Sequence, residues 1–537
     1  MARADDVAEA SEKEAPREPG DGDKGASLTR SAVLGAIWSI GTGVGSRGIG
    51  LVGTLMVTRF LDPETYGEAS LASLVVLSTQ MISNCGLPQY LVAKPNEGRS
   101  AAFHATFYFV ILGILGLVLA VIFRHPLGAA LLSPTLPDYI LGFAFAGLCE
   151  RFVVIQDAIQ VRQMRFRSLS LQRSMGEALY AVVAVVLAWK GFGGHAIVWA
   201  AIARSGSRLI SLSATTERRE WLEPCRITWQ QTRDMFRFGL PMSVGAIANF
   251  GARRWDNILI ARYFGPGTQG VYNLAYNFAD IPATQIGETI GDVLVPSFAK
   301  MESDERRKKA LILALRIMIL IVAPLAVGLG MVAPELVRTF FNDKWSRRSI
   351  GVMMMLLSGL SVVRPIGWVG NSYLQVKDRP RIIMVLEVAK TATLLLLIAL
   401  FAHLGSNLNY RVYYACGAVG VAFGLSALSY LVAIARVDDT PLSKLIFPLL
   451  PPFLACLPMA FAVFEFQRLV TQKTSGLPHP VMLVGEIIVG VLVFIPSAFL
   501  IAPGATRDLV GLLRTARARR REKKPDDDAA IPPEKAA

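Results

Sequence analysis

The chain has 537 residues, of which 53% are hydrophobic and 18% are charged, and its mean hydropathy is +0.44. Soluble domains interleave apolar residues with charge at the helix or strand period, so this composition excludes a soluble enzyme and a disordered scaffold. The formal net charge of +14 would suggest nucleic acid in a soluble protein. In a membrane protein such an excess is first explained by the Lys and Arg residues that accumulate in cytoplasmic loops.

The N-terminal residues 1–29 are rich in charge, Ala, Gly and Pro and have no apolar stretch, which predicts a disordered cytoplasmic tail and not a signal peptide. After this tail the sequence contains fourteen apolar segments of transmembrane length. They lie at 31–57, 67–93, 101–123, 138–160, 169–189, 195–215, 236–261, 270–297, 310–333, 350–374, 382–402, 412–435, 444–466 and 481–503. A polar cytoplasmic linker is predicted at 216–235 and a basic cytoplasmic tail at 507–537.

The basic residues of the loops predict the orientation. If the N-terminus is cytoplasmic, the cytoplasmic loops hold 19 Lys and Arg against 11 in the opposite loops, and the C-terminal tail adds eight more to the cytoplasmic side. This bias predicts that both termini are cytoplasmic.

An internal repeat organises these segments. Residues 58–72 (TRFLDPETYGEASLA) return as 261–275 (ARYFGPGTQGVYNLA) with six identities in 15 positions, where chance gives about one. Six helices separate the copies, which predicts a parallel repeat about an axis along the membrane normal. Pro and Gly in each copy are interpreted as shaping a short turn between antiparallel helices.

The predicted fold class is therefore an all-α polytopic membrane protein with about 14 transmembrane helices. They form two six-helix lobes, an N-lobe at 31–215 and a C-lobe at 236–435, and a C-terminal helix pair at 444–503.

Two blocks, 36–94 and 237–301, carry a resemblance to a known family. They contain the turns RFLDPETYG and ARYFGPGTQG, the pair Asp256-Asn257 and the sequence VPSF at the end of helix 8. Together these resemble bacterial polysaccharide exporters, the Wzx-type flippases of lipid-linked oligosaccharides. Their superfamily, the multidrug, oligosaccharidyl-lipid and polysaccharide exporters, shares one two-lobe fold among several substrates.

The resemblance implies a function in the bacterial inner membrane. A polyprenyl-diphosphate-linked oligosaccharide would cross from the cytoplasmic to the outer leaflet for exopolysaccharide, capsule or O-antigen synthesis. The head group would pass between the lobes while the tail stays in lipid, and the lobes would rock to alternate access. Membrane lipids and, as candidates, polysaccharide polymerase and co-polymerase proteins are the expected partners; nucleic acid and a cofactor are not expected.

Charged side chains inside apolar segments each cost about 2.5 to 3.5 kcal/mol on insertion scales, so they mark candidate functional positions. A diphosphate favours guanidinium groups, whose planar fork meets two phosphate oxygens at once. The candidate substrate-binding residues are Arg47, Arg204, Arg208, Arg253, Arg254 and Arg364.

Helices 7 and 8 carry the candidate coupling or gating residues. Arg253 and Asp256 are three residues apart, which predicts that they share one helical face and can pair. Asp280, Glu288 and Asp292 form an acidic stripe on helix 8 that suits pairing with a neighbouring helix or binding of H⁺ or Na⁺ as a coupling ion. Arg364, followed by Pro365, is expected at a kink in helix 10.

Two other functions remain open from the sequence. A cation-coupled drug or metabolite antiporter of the same superfamily would need carboxylates and aromatic rings facing its cavity, and the excess of arginine disfavours it. A membrane polymerase or ligase is disfavoured by the short outside loops and by the repeat. Neither a nucleotide-binding loop nor another enzyme motif accompanies the apolar segments.

Overall fold

The computed structural model describes residue 45 and residues 48–93, 98–163, 165–299, 301, 303–346, 349–404, 408–473 and 478–522. Arg47 and most of the N-terminal tail lie outside these residues. Within them the chain is almost wholly helical.

Eight helices of the N-terminal half precede the linker. They are α1 (Gly48–Phe60), α2 (Pro63–Ser83), α3 (Leu87–Ala93), α4 (Gly98–Ile122), α5 (Arg124–Ala130), α6 (Leu136–Arg162), α7 (Phe166–Trp189) and α8 (His195–Thr215).

Thirteen helices follow the linker. They are α9 (Trp229–Arg254), α10 (Asp256–Ala299), α11 (Asp304–Phe340), α12 (Asp343–Ser346), α13 (Ile350–Leu360), α14 (Arg364–Val376), α15 (Pro380–Phe401), α16 (Leu408–Val437), α17 (Leu442–Ile446), α18 (Leu450–Leu454), α19 (Cys456–Lys473), α20 (His479–Ile501) and α21 (Pro503–Glu522). The predicted break in helix 10 corresponds to a short 3₁₀ turn, Ser361–Val363, between α13 and α14.

The apolar segments correspond to these helices. In the described part of the chain, eight helices or helix runs are long and apolar enough to cross a membrane. Each predicted segment from residue 67 onward coincides with one helix or with a broken run of helices. The protein is therefore a helical polytopic membrane protein, while the count of fourteen crossings stays a prediction.

Two breaks shape the start of the C-lobe. At Trp255 the chain turns between α9 and α10, although the sequence there reads as one continuous helix. Within α10, Gly265 has φ 82° and ψ 165°, a conformation open to glycine and strained for other residues. This glycine separates predicted helices 7 and 8 and occupies the repeat position of Asp62, which caps α2 by accepting a hydrogen bond from the Thr65 amide (2.9 Å).

Each half of the chain has its own buried apolar cluster. One cluster joins α2, α6, α7 and α8, and two others join the helices from α10 to α19. The linker packs on the N-terminal half, where Trp221 joins a cluster with α3, α4 and α6. His104 on α4 accepts a hydrogen bond from the Thr228 amide (3.0 Å), which fixes the end of the linker. The predicted lobe boundaries agree with this packing but remain predictions.

The two copies of the repeat face each other across α2 and α10. A Cβ atom at Gly67 would lie 2.0 Å from the carbonyl oxygen of Pro266, and one at Gly270 would lie 2.2 Å from that of Pro63. We call this contact the repeat seam. From the sequence alone, the shared glycines are interpreted as turn residues only. In the structure they also permit a close backbone approach between the two halves of the chain.

A second close approach lies at the other end of α2. A Cβ atom at Gly86 would lie 2.4 Å from the carbonyl oxygen of Gly239 on α9, and one at Gly239 would lie 2.1 Å from that of Cys85. The two halves of the chain therefore meet near both ends of α2, with polar space between the contacts.

Helix α11 is tied to its neighbours near both ends. Near its start, Lys308 Nζ donates to the carbonyl oxygen of Asp438 (2.8 Å), and Lys377 bridges the carboxylates of Asp304 and Asp438 at 3.0 Å each. Near its end, Glu335 Oε2 lies 2.9 Å from Nδ1 of His479 on α20. The 37-residue helix thus connects the two surfaces of the C-lobe.

Candidate functional site

A polar cavity of about 60 Å³ lies inside the C-lobe and is hereafter called the C-lobe cavity. Helices α9, α10, α14, α15 and α16 surround it, and each contributes polar or aromatic side chains. Those that carry charge are Arg253, Asp280, Arg364, Glu387 and Lys390. Five charged side chains that are far apart in the sequence thus meet among apolar helices.

Arg364 lines the C-lobe cavity and is held there by several neighbouring side chains. Its guanidinium forms a salt bridge with Asp280 and donates a hydrogen bond to the Tyr276 hydroxyl (2.6 Å). The same group lies over the rings of Phe423 (4.1 Å) and Tyr276 (4.8 Å). The carboxylate, the hydroxyl and the aromatic faces compensate the loss of water around a cation that is only 7% exposed.

A second charged pair completes the lining. Lys390 Nζ lies 2.5 Å from Glu387 Oε2, the Tyr430 hydroxyl donates to Glu387 Oε1 (2.8 Å), and the Asn249 amide donates to Oε2 (3.4 Å). Glu387 is therefore fully engaged, and Lys390 is one helical turn from it on the same face of α15.

The C-lobe cavity carries an excess of positive charge. Its lining has three cations, Arg253, Arg364 and Lys390, against the two carboxylates of Asp280 and Glu387. Asp280 is paired with Arg364 and Glu387 with Lys390. Arg253 is the third cation of this lining.

A second polar pocket, of about 160 Å³, lies between the two halves of the chain and is hereafter called the inter-lobe pocket. Tyr66, Ser70 and Ser73 from α2 and Tyr180 from α7 face Arg254 at the end of α9. Asn273 from α10 completes the polar lining. Hydroxyl, amide, aromatic and guanidinium groups therefore converge on one space between the predicted lobes.

The neighbouring arginines Arg253 and Arg254 thus enter different spaces. Arg253 lines the C-lobe cavity, whereas Arg254 lines the inter-lobe pocket. The separation follows from helix geometry, because consecutive residues of α9 point about 100° apart around the helix axis. A pair of adjacent cations therefore lies where the two polar spaces come closest along the chain.

Asp256 belongs to a buried hydrogen-bond network. It is 0% exposed, and its Oδ2 accepts from the Tyr272 hydroxyl (2.6 Å) while its Oδ1 accepts from the Asn257 backbone and side chain (2.9 Å each). The hydrogen bonds given for Asp256 go to Tyr272 and Asn257, and its pairing with Arg253 stays a prediction.

The same network connects the two halves of the chain. Asn257 Oδ1 accepts from Gln269 (3.1 Å) and Asn273 (3.0 Å), and Ser70 on α2 donates to Gln269 Oε1 (3.1 Å). These amide groups lie beside the repeat seam, so a movement of α2 relative to α10 would break the Ser70 contact first.

Arg204 and Arg208 lie on α8 within the N-lobe and are engaged by carboxylates. Arg208 bridges Glu150 (2.8 Å) and Asp157 (2.7 Å) on α6, and Arg204 contacts Glu177 on α7 (3.3 Å). These ion pairs connect neighbouring helices of the N-lobe. Neither arginine is among the residues that line the C-lobe cavity or the inter-lobe pocket.

The remaining sequence candidates lie partly outside the description. Arg47 and the side chains of Glu288 and Asp292 lie outside the part of the chain that the structure describes. Asp280 alone of the acidic stripe shows its partner, Arg364 on the next-but-one predicted helix.

Sequence reasoning missed the uncharged part of both linings. The inter-lobe residues Tyr66, Tyr180 and Asn273 carry no charge, so the search for charges in apolar segments passed over them. The sequence did contain one signal for the uncharged residues. Polar side chains recur every three or four residues along one face of α10, at Gln269, Asn273, Asn277, Asp280 and Thr284. A polar stripe of that length in an apolar helix indicates a face that lines polar space.

Comparisons with known proteins agree with this architecture. The chain is similar to the succinoglycan biosynthesis transport protein ExoT of Rhizobium meliloti (strain 1021), with 26% identity over 492 residues, which are 90% of this chain and 95% of that protein. It is also similar to the lipopolysaccharide biosynthesis protein WzxC of Escherichia coli (strain K12), with 25% identity over 445 residues, or 80% of this chain and 87% of that protein.

Among solved structures, the lipid II flippase MurJ in an inward closed conformation has a TM-score of 0.68 and 15% identity, covering 89% of this chain and 100% of MurJ. At this identity the likeness concerns the fold alone, and it shows the same helical fold over 89% of this chain. A family model described as "Polysaccharide biosynthesis protein" matches residues 56–349, more than half of the chain. The protein is therefore a member of the polysaccharide biosynthesis protein family.

Proposed function

We propose that the protein translocates a polyprenyl-diphosphate-linked oligosaccharide repeat unit across the bacterial inner membrane, for exopolysaccharide, capsule or O-antigen synthesis. Membership of the polysaccharide biosynthesis family supports this, together with the similarity to ExoT, a succinoglycan biosynthesis transport protein, and to WzxC, a lipopolysaccharide biosynthesis protein. The proposed activity is transport by alternating access, and the substrate is not chemically changed.

The observation that carries the proposal is the chemistry of the inter-lobe pocket. Arg254 offers a guanidinium for phosphate oxygens, and Tyr66 and Tyr180 offer ring faces against which a sugar can pack. Ser70 and Asn273 offer hydroxyl and amide groups for saccharide hydroxyls. A pocket that combines one cation with aromatic and uncharged polar groups suits an anionic sugar head group better than a cationic drug.

The C-lobe cavity supports the same preference. Its two carboxylates are engaged by Arg364 and Lys390, so they are not left to bind a cationic substrate. This disfavours the alternative of a cation-coupled drug antiporter. A polymerase or ligase remains the less favoured alternative, because the relatives named above are a transport protein and a biosynthesis protein that match this chain over 95% and 87% of their own lengths.

The repeat seam and the Gly86–Gly239 contact supply the elements that alternating access requires. In this conformation the two halves of the chain touch at both places, so the inter-lobe pocket is small, and separation at one end would open it to one side of the membrane. We place the seam on the outer side and both termini in the cytoplasm, as the loop charges favour.

Three further parts of the proposal concern partners and coupling. H⁺ or Na⁺ is the proposed coupling ion, with Asp256, Asp280, Glu288 and Asp292 as candidate ligands. Membrane lipid surrounds the polyprenyl tail throughout, and a polysaccharide polymerase and co-polymerase are proposed to receive the product. No nucleic acid and no cofactor take part.

Deletion of the gene tests the function. The mutant is expected to accumulate complete undecaprenyl-linked repeat units on the cytoplasmic leaflet and to lose extracellular polysaccharide. Complementation with Arg254→Gln should leave the repeat units accumulated and the extracellular polysaccharide absent. The control is Arg173→Gln, which changes a half-exposed arginine paired with Asp157 in the N-lobe and should return both quantities to normal. Normal polysaccharide output from the deletion strain, in the absence of a second exporter gene, would contradict the proposal.

A further inference from the structure

The C-terminal helix pair buries a carboxylic acid that neither polar space uses. Glu486, two turns into α20, is 0% exposed, although it lies on a helix whose outer face is apolar. Within the described residues, neither of its carboxyl oxygens has a hydrogen-bond partner. Buried carboxylates are ordinarily paired or hydrogen-bonded, so the position of this one requires an explanation.

The groups around Glu486 come from three helices. Helix α11 contributes Glu335 and Arg338, α19 contributes Gln467, and α20 itself contributes His479. The Gln467 amide donates to the carbonyl oxygen of Met331 on α11 (2.9 Å), so one of its hydrogens is directed away from Glu486.

Glu335 takes up the cationic partners of this cluster. Its Oε1 accepts from Arg338 (2.5 Å), and its Oε2 lies 2.9 Å from Nδ1 of His479. Because an ionised carboxylate only accepts hydrogen bonds, Nδ1 of His479 carries the hydrogen in this contact. The one permanent cation of the cluster, Arg338, is therefore already balanced by Glu335.

Two carboxylates facing one guanidinium leave one negative charge uncompensated. An isolated ionised carboxylate in apolar surroundings is strongly unfavourable, and such a group takes up a proton instead. The charge balance of the cluster is restored by a single proton, and Glu486 is the carboxylate of the pair that forms no salt bridge with Arg338 or His479.

We propose that Glu486 is a proton-binding site, occupied in this conformation and filled from the end of α20 through His479 and Glu335. His479 is 53% exposed and contacts Glu335, whereas Glu335 is buried beside Glu486, so the three groups form a route from the surface to the site. The site lies in the helix pair and outside both the C-lobe cavity and the inter-lobe pocket. It does not depend on which substrate the protein carries.

Infrared spectroscopy of the full-length protein in lipid tests the site directly, because a protonated carboxyl group absorbs apart from carboxylates. At neutral pH we expect a protonated-carboxyl band that disappears in Glu486→Gln and is unchanged in Asp280→Asn, since Asp280 is ion-paired with Arg364. Glutamine is close in shape to the protonated acid, so this variant should keep the fold.

Two further measurements keep the inference open to refutation. Labelling the glutamate carboxyl carbon with ¹³C, which requires no variant, should shift the same band. Exchange of that band in D₂O should be slower in His479→Ala than in the unaltered protein. A band that persists in Glu486→Gln, or one that glutamate labelling leaves in place, would overturn the proton site. An unchanged exchange rate in His479→Ala would overturn the route.

Discussion

The repeat seam makes a quantitative prediction for Gly67→Ala. The added methyl carbon would lie 2.0 Å from the carbonyl oxygen of Pro266, whereas ordinary contacts begin at 3.4 Å. The backbones of α2 and α10 must therefore separate by about 1.4 Å, the difference between those two distances. The contact is formed by backbone atoms on both sides, so no side-chain rotation can relieve it.

The energetic consequence concerns the balance between conformations. Overpacking of this kind costs about 1 to 3 kcal/mol, and each 1.4 kcal/mol is tenfold in an equilibrium constant. The conformation with a closed seam should therefore lose about 5- to 150-fold in population relative to conformations in which the seam is open. Alanine also favours the helix at this position by about 0.5 to 1 kcal/mol, but this acts on both conformations and leaves their ratio unchanged.

Thiol labelling measures the opening. Ser70 lines the inter-lobe pocket, and the five native cysteines are unpaired and can be replaced. In a cysteine-free background carrying Ser70→Cys, a membrane-impermeant maleimide added outside should react at least about fivefold faster when Gly67→Ala is present. Gly245→Ala is the matched control, because a Cβ atom at Gly245 meets nothing within 4 Å. Equal labelling rates for Gly67→Ala and the control would refute the reasoning.

Three other changes test the charged residues. Arg253→Ala should abolish export at normal protein level, while Arg173→Ala, on an exposed pair, should export normally; full export by the first variant would remove Arg253 from the site. Arg364→Ala should lower the free energy of unfolding in detergent by about 3 to 5 kcal/mol because it removes the cation that is paired with the largely buried Asp280, and Arg364→Ala with Asp280→Ala should recover part of the loss; no recovery would contradict the pairing. Arg208→Ala should reduce export only in proportion to the folded protein that remains, as immunoblotting against export will show, and a larger loss would place Arg208 in the transport path.

The sequence contained enough to predict the helices and the relation between the two halves. Apolar length alone located the segments, since hydrocarbon requires about 20 residues per crossing. The copies around Gly67 and Gly270 predict a parallel repeat, but their contact with each other is a tertiary property that a turn-based interpretation does not reveal.

The candidate site was predictable in composition but not in arrangement. Charges inside apolar segments led to Arg253, Asp280 and Arg364, which do line one cavity. Helical spacing did not reveal the hydrogen bond that Asp256 accepts from Tyr272, because the two residues are 16 positions apart in the sequence. Arg208 could not be separated from a substrate cation by sequence, since its carboxylate partners lie more than 50 residues away.

The length of α11 limits how the C-lobe can move. At 1.5 Å per residue its 37 residues span about 55 Å, whereas the hydrocarbon core is about 30 Å thick. The uncharged stretch of α11 runs from 317 to 334, between Arg316 at one end and Glu335 at the other. A slide of one turn along the membrane normal, about 5.4 Å, would carry charges from one end towards the hydrocarbon at about 2.5 to 3.5 kcal/mol each if they reached its centre. Vertical travel of the lobe, as in an elevator, is thereby opposed in both directions, while tilting in place is not.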